Sequence, residues 1–165
     1  MSQTHFKIRR YQDGDRAALK EITALAFDGV SIDQNIERMY GVIAGKDWRF
    51  RKGRHTDWDI AAHAYGIFVA EVDGKPAGFI ATRPDAETRI GCIPDMAVHP
   101  SHQGKGIGTA LIKVALDYLI SQGMEYVRIE TLQQNAVGQK LYPRMGFQEI
   151  ARQIHYIMPL KKGPC

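Results

Sequence analysis

Apolar and polar positions divide the chain into a mainly helical first part and a strand-rich middle. Residues 6–10 (FKIRR) are typical of a strand, and the turn QDGD offers Asp13 or Asp15 as the cap of an amphipathic helix through Ala26. Apolar residues at helical spacing predict a second helix over residues 32–43. We expect both helices to cover a core.

The stretch over residues 45–64 is less regular. It combines mixed charge with two tryptophans and shows no clear hydrophobic period, and its end, DWDIAAHA, is typical of a short helix. Its basic run RFRKGR, residues 49–54, could contact phosphates, but charge runs of this kind are more often solvated loops. We therefore predict a solvated loop at this run.

The middle of the chain predicts strands. GIFVAEV and KPAGFIATR flank Asp73 and Gly74, a pair that favours the positive φ angles of a tight hairpin turn. A further apolar strand, RIGCIPDMAV, contains Pro94, which cannot donate a hydrogen bond to a neighbouring strand. Pro94 therefore marks an edge, a bulge or a place where strands separate, and we expect the sheet to be interrupted there.

The last third of the chain alternates helix and strand. A helix is predicted from about Gly106 to Gln122, where Gly123 ends it. YVRIETL is the next predicted strand, NAVGQKLYPRM a short helix capped by Asn135, and FQEIARQIHYIMPL a final strand region. This order predicts an α/β fold, a partly antiparallel sheet with helices on both faces.

Composition restricts the class of protein. With 165 residues, 44% of them hydrophobic and 24% charged, the chain is expected to fold as a single domain over residues 1–165. Its two cysteines, Cys92 and Cys165, give neither a disulfide framework nor a zinc spacing. The sequence shows no targeting or membrane-spanning segment, so we expect a cytoplasmic protein that does not enter a membrane.

The charge and the histidines of the chain argue against a nucleic-acid-binding protein and against a metalloprotein. The net charge of +4 favours anionic partners only mildly, and no recognition-helix, zinc-finger or aromatic-and-basic RNA motif is present, so no nucleic-acid partner is expected. His99 and His102 flank a turn, but the six histidines include no HExxH motif and no triad-like serine context. We expect no metal.

The segment SHQGKGIGTALI carries the first sign of chemistry. Gly104, Gly106 and Gly108 remove Cβ from a strand-to-helix turn, so that successive N–H groups and the helix dipole can meet a phosphate. A dinucleotide fingerprint needs glycine where Thr109 or Leu111 stands, and a P-loop needs Gly-Lys-Ser/Thr after a four-residue gap. Neither fits. Close helix packing would explain one or two of the glycines.

Three spaced motifs carry a family resemblance. QGKGIG, residues 103–108, resembles the Q/R-x-x-G-x-G/A signature of GNAT-superfamily acyl-CoA N-acyltransferases, and PDMAVHPSH and ETLQQNAVGQKLYPRMGF resemble its flanking segments. The resemblance covers about residues 66–160. It implies one domain with a central, mostly antiparallel sheet of about six or seven strands, splayed at the cofactor site. Residues 1–64 would supply a strand, helices and an acceptor-side loop, and residues 66–160 the acetyl-CoA-binding core.

The same resemblance implies acetyl-CoA as co-substrate. In the family, the strand that matches residues 96–98 pairs with the pantetheine arm, and amides of the glycine turn hold the pyrophosphate. A cofactor-contacting asparagine matches Asn135, which is equally well explained as a helix cap. The implied cofactor-binding residues are Met96, Ala97, Val98, Gln103, Gly104, Lys105, Gly106, Ile107, Gly108, Thr109, Asn135 and Tyr142.

Transfer of an acetyl group to an amine needs a base for the ammonium and an acid for the departing thiolate. The resemblance implies that Tyr142 is the acid. The alternative is that Tyr142 is an ordinary buried aromatic residue. Glu130 is the first candidate for the base, and the resemblance agrees. A carboxylate at the end of an apolar strand is costly unless it faces a cleft or finds a partner. Asp95 is the competing base, and a water relay is also open. Amides near Met96 and Ala97 could polarise the thioester carbonyl.

Two residues depart from the family pattern. Pro143 follows Tyr142 where a polar residue is common, and it could tilt the turn that carries the tyrosine hydroxyl. Gly138 lies inside the predicted short helix. Both departures bear on the position of the Tyr142 hydroxyl.

The resemblance implies an acetyl-CoA-dependent N-acetyltransferase that transfers acetyl directly to a primary amine in a ternary complex. The acceptor, a small molecule or a protein, stays open, and so does a non-catalytic acyl-CoA-binding module. Basic residues of the 49–54 run would suit an acidic acceptor, whereas a cationic amine would suit Asp28, Asp33, Glu37, Asp57 and Asp59. Because dimers are common among similar proteins, a homodimer is a further expectation.

Overall fold

A sheet that is interrupted in its middle lies between two layers of helices. The computed structural model describes residues 5–160, so predictions about the ends of the chain, including Cys165, lie outside the described residues. In chain order the elements are β1 (Lys7–Arg10), α1 (Arg16–Ala26), α2 (Ile32–Tyr40), α3 (Trp48–His63), β2 (Ile67–Val72), β3 (Lys75–Ala81), β4 (Ile90–Ile93), β5 (Met96–Val98), α4 (Ile107–Ser121), β6 (Tyr126–Ile129) and α5 (Ala136–Arg144).

Four of the strands form an antiparallel sheet in the order β1, β2, β3, β5. β2 and β3 are a hairpin, and the residues between them, Asp73 and Gly74, have φ angles of 49° and 75°. Positive φ at both central residues is the geometry that an Asp-Gly turn favours, because it matches the twist of the flanking strands. The predicted hairpin is confirmed.

β4 and β6 form a separate, parallel pair. Ile90 lies opposite Tyr126, and Ile93 lies opposite Ile129. β5 follows β4 directly in the chain, but it pairs with β3 and not with β6. The two consecutive strands therefore have different partners.

A β-bulge at Pro94 separates these partners. Arg83 and Cys92 exchange two backbone hydrogen bonds of 2.8 and 2.9 Å, and the next bond runs from the Ala81 N–H to the Asp95 carbonyl at 2.9 Å. Three positions on this strand thus oppose two on its neighbour, which bends the strand. The interruption predicted at Pro94 is confirmed.

The two faces of the sheet bury different helices. Side chains of α4 pack with one set of strand residues into a first core, which includes Phe68, Ile80, Ile93, Leu111, Ile112 and Leu119. Alternate strand residues meet α1 and α3 in a second core, which includes Leu19, Ile22, Ile60, Val69, Phe79 and Ala97. The six strands and the helices on both faces confirm the predicted mixed α/β fold.

The prediction for residues 45–64 was correct for its helical end, DWDIAAHA, and wrong for the loop before it. A single sixteen-residue helix, α3, includes both the basic run and this end. Asp47 caps α3 by accepting a hydrogen bond from the Phe50 N–H at 2.9 Å. Basic residues of the run are held by carboxylates, with Arg51 near Asp33 and Lys52 bound to Asp95, so tertiary ion pairs organise a stretch that lacks a hydrophobic period.

Helix α2 also differs from expectation. It ends at Tyr40 rather than near residue 43, and none of its residues is fully buried. Its neighbour is α3 rather than the sheet, and apolar side chains such as Met39 and Tyr40 are exposed. The helical period was correct, but the expectation that α2 covers a core was not.

The final predicted strand is absent from the described residues. Residues 148–160 form no helix or strand and are exposed, including Ile150, Ile154 and Tyr156. A strand requires a neighbour for its backbone groups, and this segment has none among the described residues. In the described part of the chain, no helix is both long enough and apolar enough to cross a membrane.

Candidate functional site

The open edge of β5 is the centre of the candidate site. The Asp95 carbonyl and the His99 N–H both bond to the β3 side, at 2.9 and 2.8 Å. Because backbone groups alternate in direction along an antiparallel strand, Ala97 also faces β3, whereas Met96 and Val98 face the open edge. Of the three residues expected to meet the pantetheine, Met96 and Val98 thus present their amides to the space where β6 diverges.

The glycine turn lies directly beyond this edge. Gly104 and Gly106 have φ angles of 74° and 84°, a left-handed conformation that L side chains rarely adopt. Within α4 the first hydrogen bond runs from the Ala110 N–H to the Gly106 carbonyl, so the amides of residues 107–109 have no acceptor within the helix. These N–H groups at the positive end of a helix dipole fit a pyrophosphate.

The flanking polar side chains hold this turn. The Gln103 side-chain amide donates to the Val98 carbonyl at 3.0 Å, which links the turn to the end of β5. Lys105 Nζ donates to the Ser101 carbonyl at 2.9 Å and keeps an exposed cation beside the amides. Gln103, Gly104, Lys105, Gly106, Ile107 and Thr109 therefore lie together in one turn beside β5, and their binding of the cofactor stays a prediction.

Gly108 has a different role from the other two glycines. Its φ is not positive, and a Cβ at this position would lie 3.5 Å from Leu141 Cδ2 and 4.0 Å from Val98 Cγ2. These are ordinary van der Waals distances at a contact between helices α4 and α5. A side chain at position 108 would therefore find space, so neither a positive φ nor close packing requires this glycine, whereas the left-handed turn favours glycine at positions 104 and 106.

Asn135 caps helix α5. Its Oδ1 accepts from the Gly138 N–H at 3.1 Å, and its Nδ2 donates to Thr131 Oγ1 at 2.9 Å. A Cβ on Gly138 would lie 2.9 Å from both Asn135 Nδ2 and Thr131 Oγ1, and 3.1 Å from the ring of Tyr142. The glycine that departs from the family pattern is thus required by the cap and by the tyrosine.

Tyr142 extends from α5 against the first core, with Phe147 in an edge-to-face contact at 6.1 Å between ring centroids. Burial raises the pKa of the Tyr142 phenol to about 12, and the negative charge of Asp95 adds to the shift. The phenol therefore keeps its proton at neutral pH. Pro143 lies inside α5 without ending it, because the helix continues to Arg144.

Asp95, in the bulge, is buried with a cationic partner. Its Oδ2 lies 3.2 Å from Lys52 Nζ of α3, and both side chains are nearly inaccessible to solvent. Lys52 Nζ also lies 3.9 Å from the centre of the Phe27 ring. Asp95 Oδ1 is buried and has no hydrogen-bond partner among the described residues, so one carboxylate oxygen remains available at the bulge.

A second carboxylate of α3 lies near this pair. Asp59 Oδ1 accepts a hydrogen bond from Arg83 Nη2 at 2.8 Å. Burial raises the pKa of Asp59 to about 7, and the charge of Asp95 adds to it, despite the opposing effects of Arg83 and Lys52. The buried side of the bulge therefore carries two acidic and two basic groups.

Glu130 occupies a different environment from Asp95. It follows β6 directly, and its side chain is 77% exposed, with Oε1 3.9 Å from Arg128 Nη1. It borders a cleft of about 230 Å³ at the ends of β4 and β6, whose lining is Arg83, Cys92, Ile93, Pro94, Arg128, Ile129 and Glu130. Glu130 thus satisfies the expectation that it faces a cleft, whereas Asp95 is the buried carboxylate.

The side chain of His99 holds the turn that precedes the glycines. His99 Nδ1 accepts from the Ser101 N–H at 3.2 Å. Within residues 5–160, no three His, Cys, Asp or Glu side chains are grouped so as to hold a metal ion.

A family comparison agrees with this geometry. The model of the acetyltransferase (GNAT) family matches residues 32–147. The chain belongs to the GNAT family. The resemblance inferred from the three motifs is confirmed, and the matched region contains both the bulge and the glycine turn.

Curated relatives of this GNAT chain are acetyltransferases of several kinds. An uncharacterized N-acetyltransferase of Methanocaldococcus jannaschii is 31% identical over 128 residues, covering 72% of this chain and 57% of that protein. Mouse N-acetyltransferase 8 is 32% identical over 145 residues, covering 72% and 63%. Streptomyces coelicolor mycothiol acetyltransferase is 35% identical over 82 residues, covering 50% and 26%. The chain thus spans less than two thirds of these relatives.

Solved structures share the fold. A GNAT-family acetyltransferase from Brucella melitensis in complex with acetyl-CoA has a TM-score of 0.63 and 26% identity, covering 88% of this chain and 84% of that one. The Thermoplasma acidophilum PaiA N-acetyltransferase in complex with coenzyme A has a TM-score of 0.68 and 21% identity, covering 87% and 90%. The second likeness concerns the fold alone.

Sequence reasoning missed the buried charges of the GNAT site. Lys52 and Asp59 are seven residues apart, so they lie two turns apart on one face of α3. Lys52 binds Asp95, and Asp59 binds Arg83. The seven-residue spacing was a usable signal, but it has meaning only on a helix, and the helix was not predicted. Arg83 follows the hairpin strand and gave no signal of its own.

Asp59 yields a prediction for the pH dependence of stability. Its pKa is about 7 in the folded chain and about 3.9 in an unfolded one, so between these values only the folded chain holds the proton. The free energy of unfolding must fall as pH rises through this window, by on the order of a few kcal/mol. Asp59→Asn should lose this decline in melting temperature between pH 5 and pH 8.

The matched control is Asp57→Asn, which removes a less buried carboxylate of the same helix that binds Lys20. It should keep the slope of the unaltered protein. Equal slopes in the unaltered chain and in Asp59→Asn would contradict the assignment.

Proposed function

We propose that this GNAT chain is an acetyl-CoA-dependent N-acetyltransferase, which moves acetyl directly to a primary amine in a ternary complex. The observation that carries the proposal is the presence of two sets of unused backbone N–H groups, on either side of one turn. One set belongs to Met96 and Val98 on the open edge of β5, and the other to the first turn of α4. An extended arm that ends in a pyrophosphate would engage both.

The cofactor's own chemistry is simple: bound acetyl-CoA would supply the acetyl thioester. The residues that would hold it are Met96 and Val98 through their backbones and residues 104–109 through their amides, with Gln103 holding the turn against β5. The Met96 N–H, directed at the open edge, is the donor available to a carbonyl oxygen that gains negative charge. Ala97 is assigned a packing role, because its backbone faces β3.

Tyr142 is proposed as the acid. Its burial and the neighbouring Asp95 charge keep the phenol protonated at neutral pH, as a proton donor to a thiolate requires. Gly138 supports this role, because any side chain at that position would press on the tyrosine ring. Asn135 fixes the start of α5 by capping it. We also propose that Asn135 contacts the cofactor directly.

Glu130 is proposed as the base. Its exposed carboxylate can receive a proton from an arriving ammonium and release it to solvent. Asp95 is the competing candidate, because it has an unpartnered oxygen at the bulge, but its burial against Lys52 separates it from solvent. A water relay without a dedicated carboxylate is the third candidate. The three choices differ in which variant loses activity.

An assay of thiol release from acetyl-CoA across a panel of amines tests the proposal. Glu130→Gln should lower kcat/KM by about 100-fold or more, and Tyr142→Phe by about 10-fold or more, because general acid–base groups contribute in this range. Coenzyme A affinity, measured by calorimetry, should change little. Glu125→Gln and Tyr126→Phe, exposed residues near the other end of β6, are matched controls that should keep full activity.

Other outcomes of the assay discriminate between the alternatives. A full rate in Glu130→Gln with loss in Asp95→Asn would transfer the base role to Asp95. Coenzyme A binding without thiol release from any amine would favour a non-catalytic acyl-CoA-binding module.

The glycines give an independent prediction for cofactor binding. Gly106→Ala forces a side chain into a φ of 84°, so we expect the turn to change and coenzyme A affinity to fall by about 10-fold. Gly108→Ala should retain affinity, since its Cβ meets only ordinary contacts on a helix. Calorimetric titration with coenzyme A measures both, and equal affinities for the two variants would contradict the distinction.

A further inference from the structure

Most charged side chains of residues 27–64, where the acceptor is expected, have a hydrogen-bond or ion-pair partner within the chain. Arg51 lies near Asp33 and Glu37, and Lys52 binds Asp95. The carboxylates proposed for a cationic amine are engaged as well, with cationic or amide partners for Asp28, Asp33, Glu37, Asp57 and Asp59. Arg51 and Lys52 of the basic run and these five acids are therefore engaged within the chain.

Arg128 is an exception. It lies in β6, its side chain is 63% exposed, and the Glu130 oxygen that it approaches is 3.9 Å away, beyond hydrogen-bond distance. Within residues 5–160 its guanidinium makes no hydrogen bond. It lines the cleft that Glu130 also borders, two residues away on the same face of the strand.

Arg83 reaches the same cleft from the opposite side. Its Nη2 donates to Asp59, but the side chain is 46% exposed, and a guanidinium has five N–H donors in all. Cys92 lies in the lining of the cleft with the two arginines, and burial raises the pKa of its thiol, so it stays uncharged. Asp59 offsets the charge of Arg83 in this bonded pair, whereas Arg128 makes no hydrogen bond within residues 5–160. Arg128 is therefore a cation of the cleft that remains available to an anionic group.

We propose that this cleft binds an anionic group of the acceptor, and that the acceptors are primary amines that carry a carboxylate close to the amine. This inference rests on the proposed acetyltransferase function. The guanidinium fork of Arg128 matches a carboxylate in geometry and charge. With the carboxylate held there, the neighbouring amine would lie beside Glu130, which repels the carboxylate and attracts the ammonium.

The test compares acceptors that differ only in the carboxylate: phenylalanine with phenethylamine, lysine with cadaverine, and ornithine with putrescine. In the thiol-release assay the carboxylate-bearing member of at least one pair should have the higher kcat/KM, by about 10- to 100-fold. In Arg128→Gln this ratio should fall to near one. Arg89→Gln, an exposed arginine that binds Glu125 just before β4, is the matched control and should keep the ratio.

The remaining outcomes overturn different statements. Thiol release with no preference for the carboxylate, or a preference that persists in Arg128→Gln, overturns the inference and leaves the acetyltransferase function intact. A loss of coenzyme A affinity in Arg128→Gln, measured by calorimetry, would assign the arginine to the cofactor and also overturn it. Absence of thiol release with every amine would refute the proposed function itself.

Discussion

The break in the backbone ladder at Pro94 is the constraint on which the site depends. Before it, β4 uses its hydrogen bonds to pair with β6, and after it β5 pairs only with β3. Because proline lacks an N–H and the bulge adds one residue, the strand bends away from β6 at this point. An open edge thus exists inside the fold rather than at its margin, and the unused amides of Met96 and Val98 are a consequence.

Both cores hold this break in place. Ile93, just before the bulge, is buried with α4, and Ala97, just after it, is buried with α1 and α3. The same region carries buried charge, since Lys52 and Asp59 of α3 reach under the bulge to Asp95 and Arg83. A buried ion pair is rarely the most stabilising choice for an interior, so its presence beside an open edge suits a site that handles charge.

The features that sequence predicted are those set by local rules. The Asp-Gly turn, the interruption at Pro94, the glycine turn before α4 and the Asn135 cap each follow from the backbone preferences of a few residues. Features set by distant partners could not be predicted. Helix α3 makes ion pairs with residues far along the chain, such as Lys52 with Asp95, and the sequence shows only a charge run there.

The predictions about the candidate site divide in the same way, into local features that were foreseen and distant contacts that were not. The motif residues were recognised by resemblance, but the environments of its two carboxylates depend on where strands end in space. Glu130 is exposed because β6 stops before it, and Asp95 is buried because the bulge turns it towards α3. The alternating apolar pattern after Phe147 predicted a strand, yet a strand also needs a neighbour, and that requirement is invisible in the pattern.

Amide hydrogen exchange at β5, followed by NMR with and without coenzyme A, tests most directly whether the open edge receives an extended ligand. The Met96 and Val98 amides should exchange at least about 10-fold more slowly when coenzyme A is bound. The Ala97 amide, already bonded to β3, should change far less and serves as the internal reference. Saturating coenzyme A that leaves the Met96 and Val98 rates unchanged would contradict the proposed use of this edge.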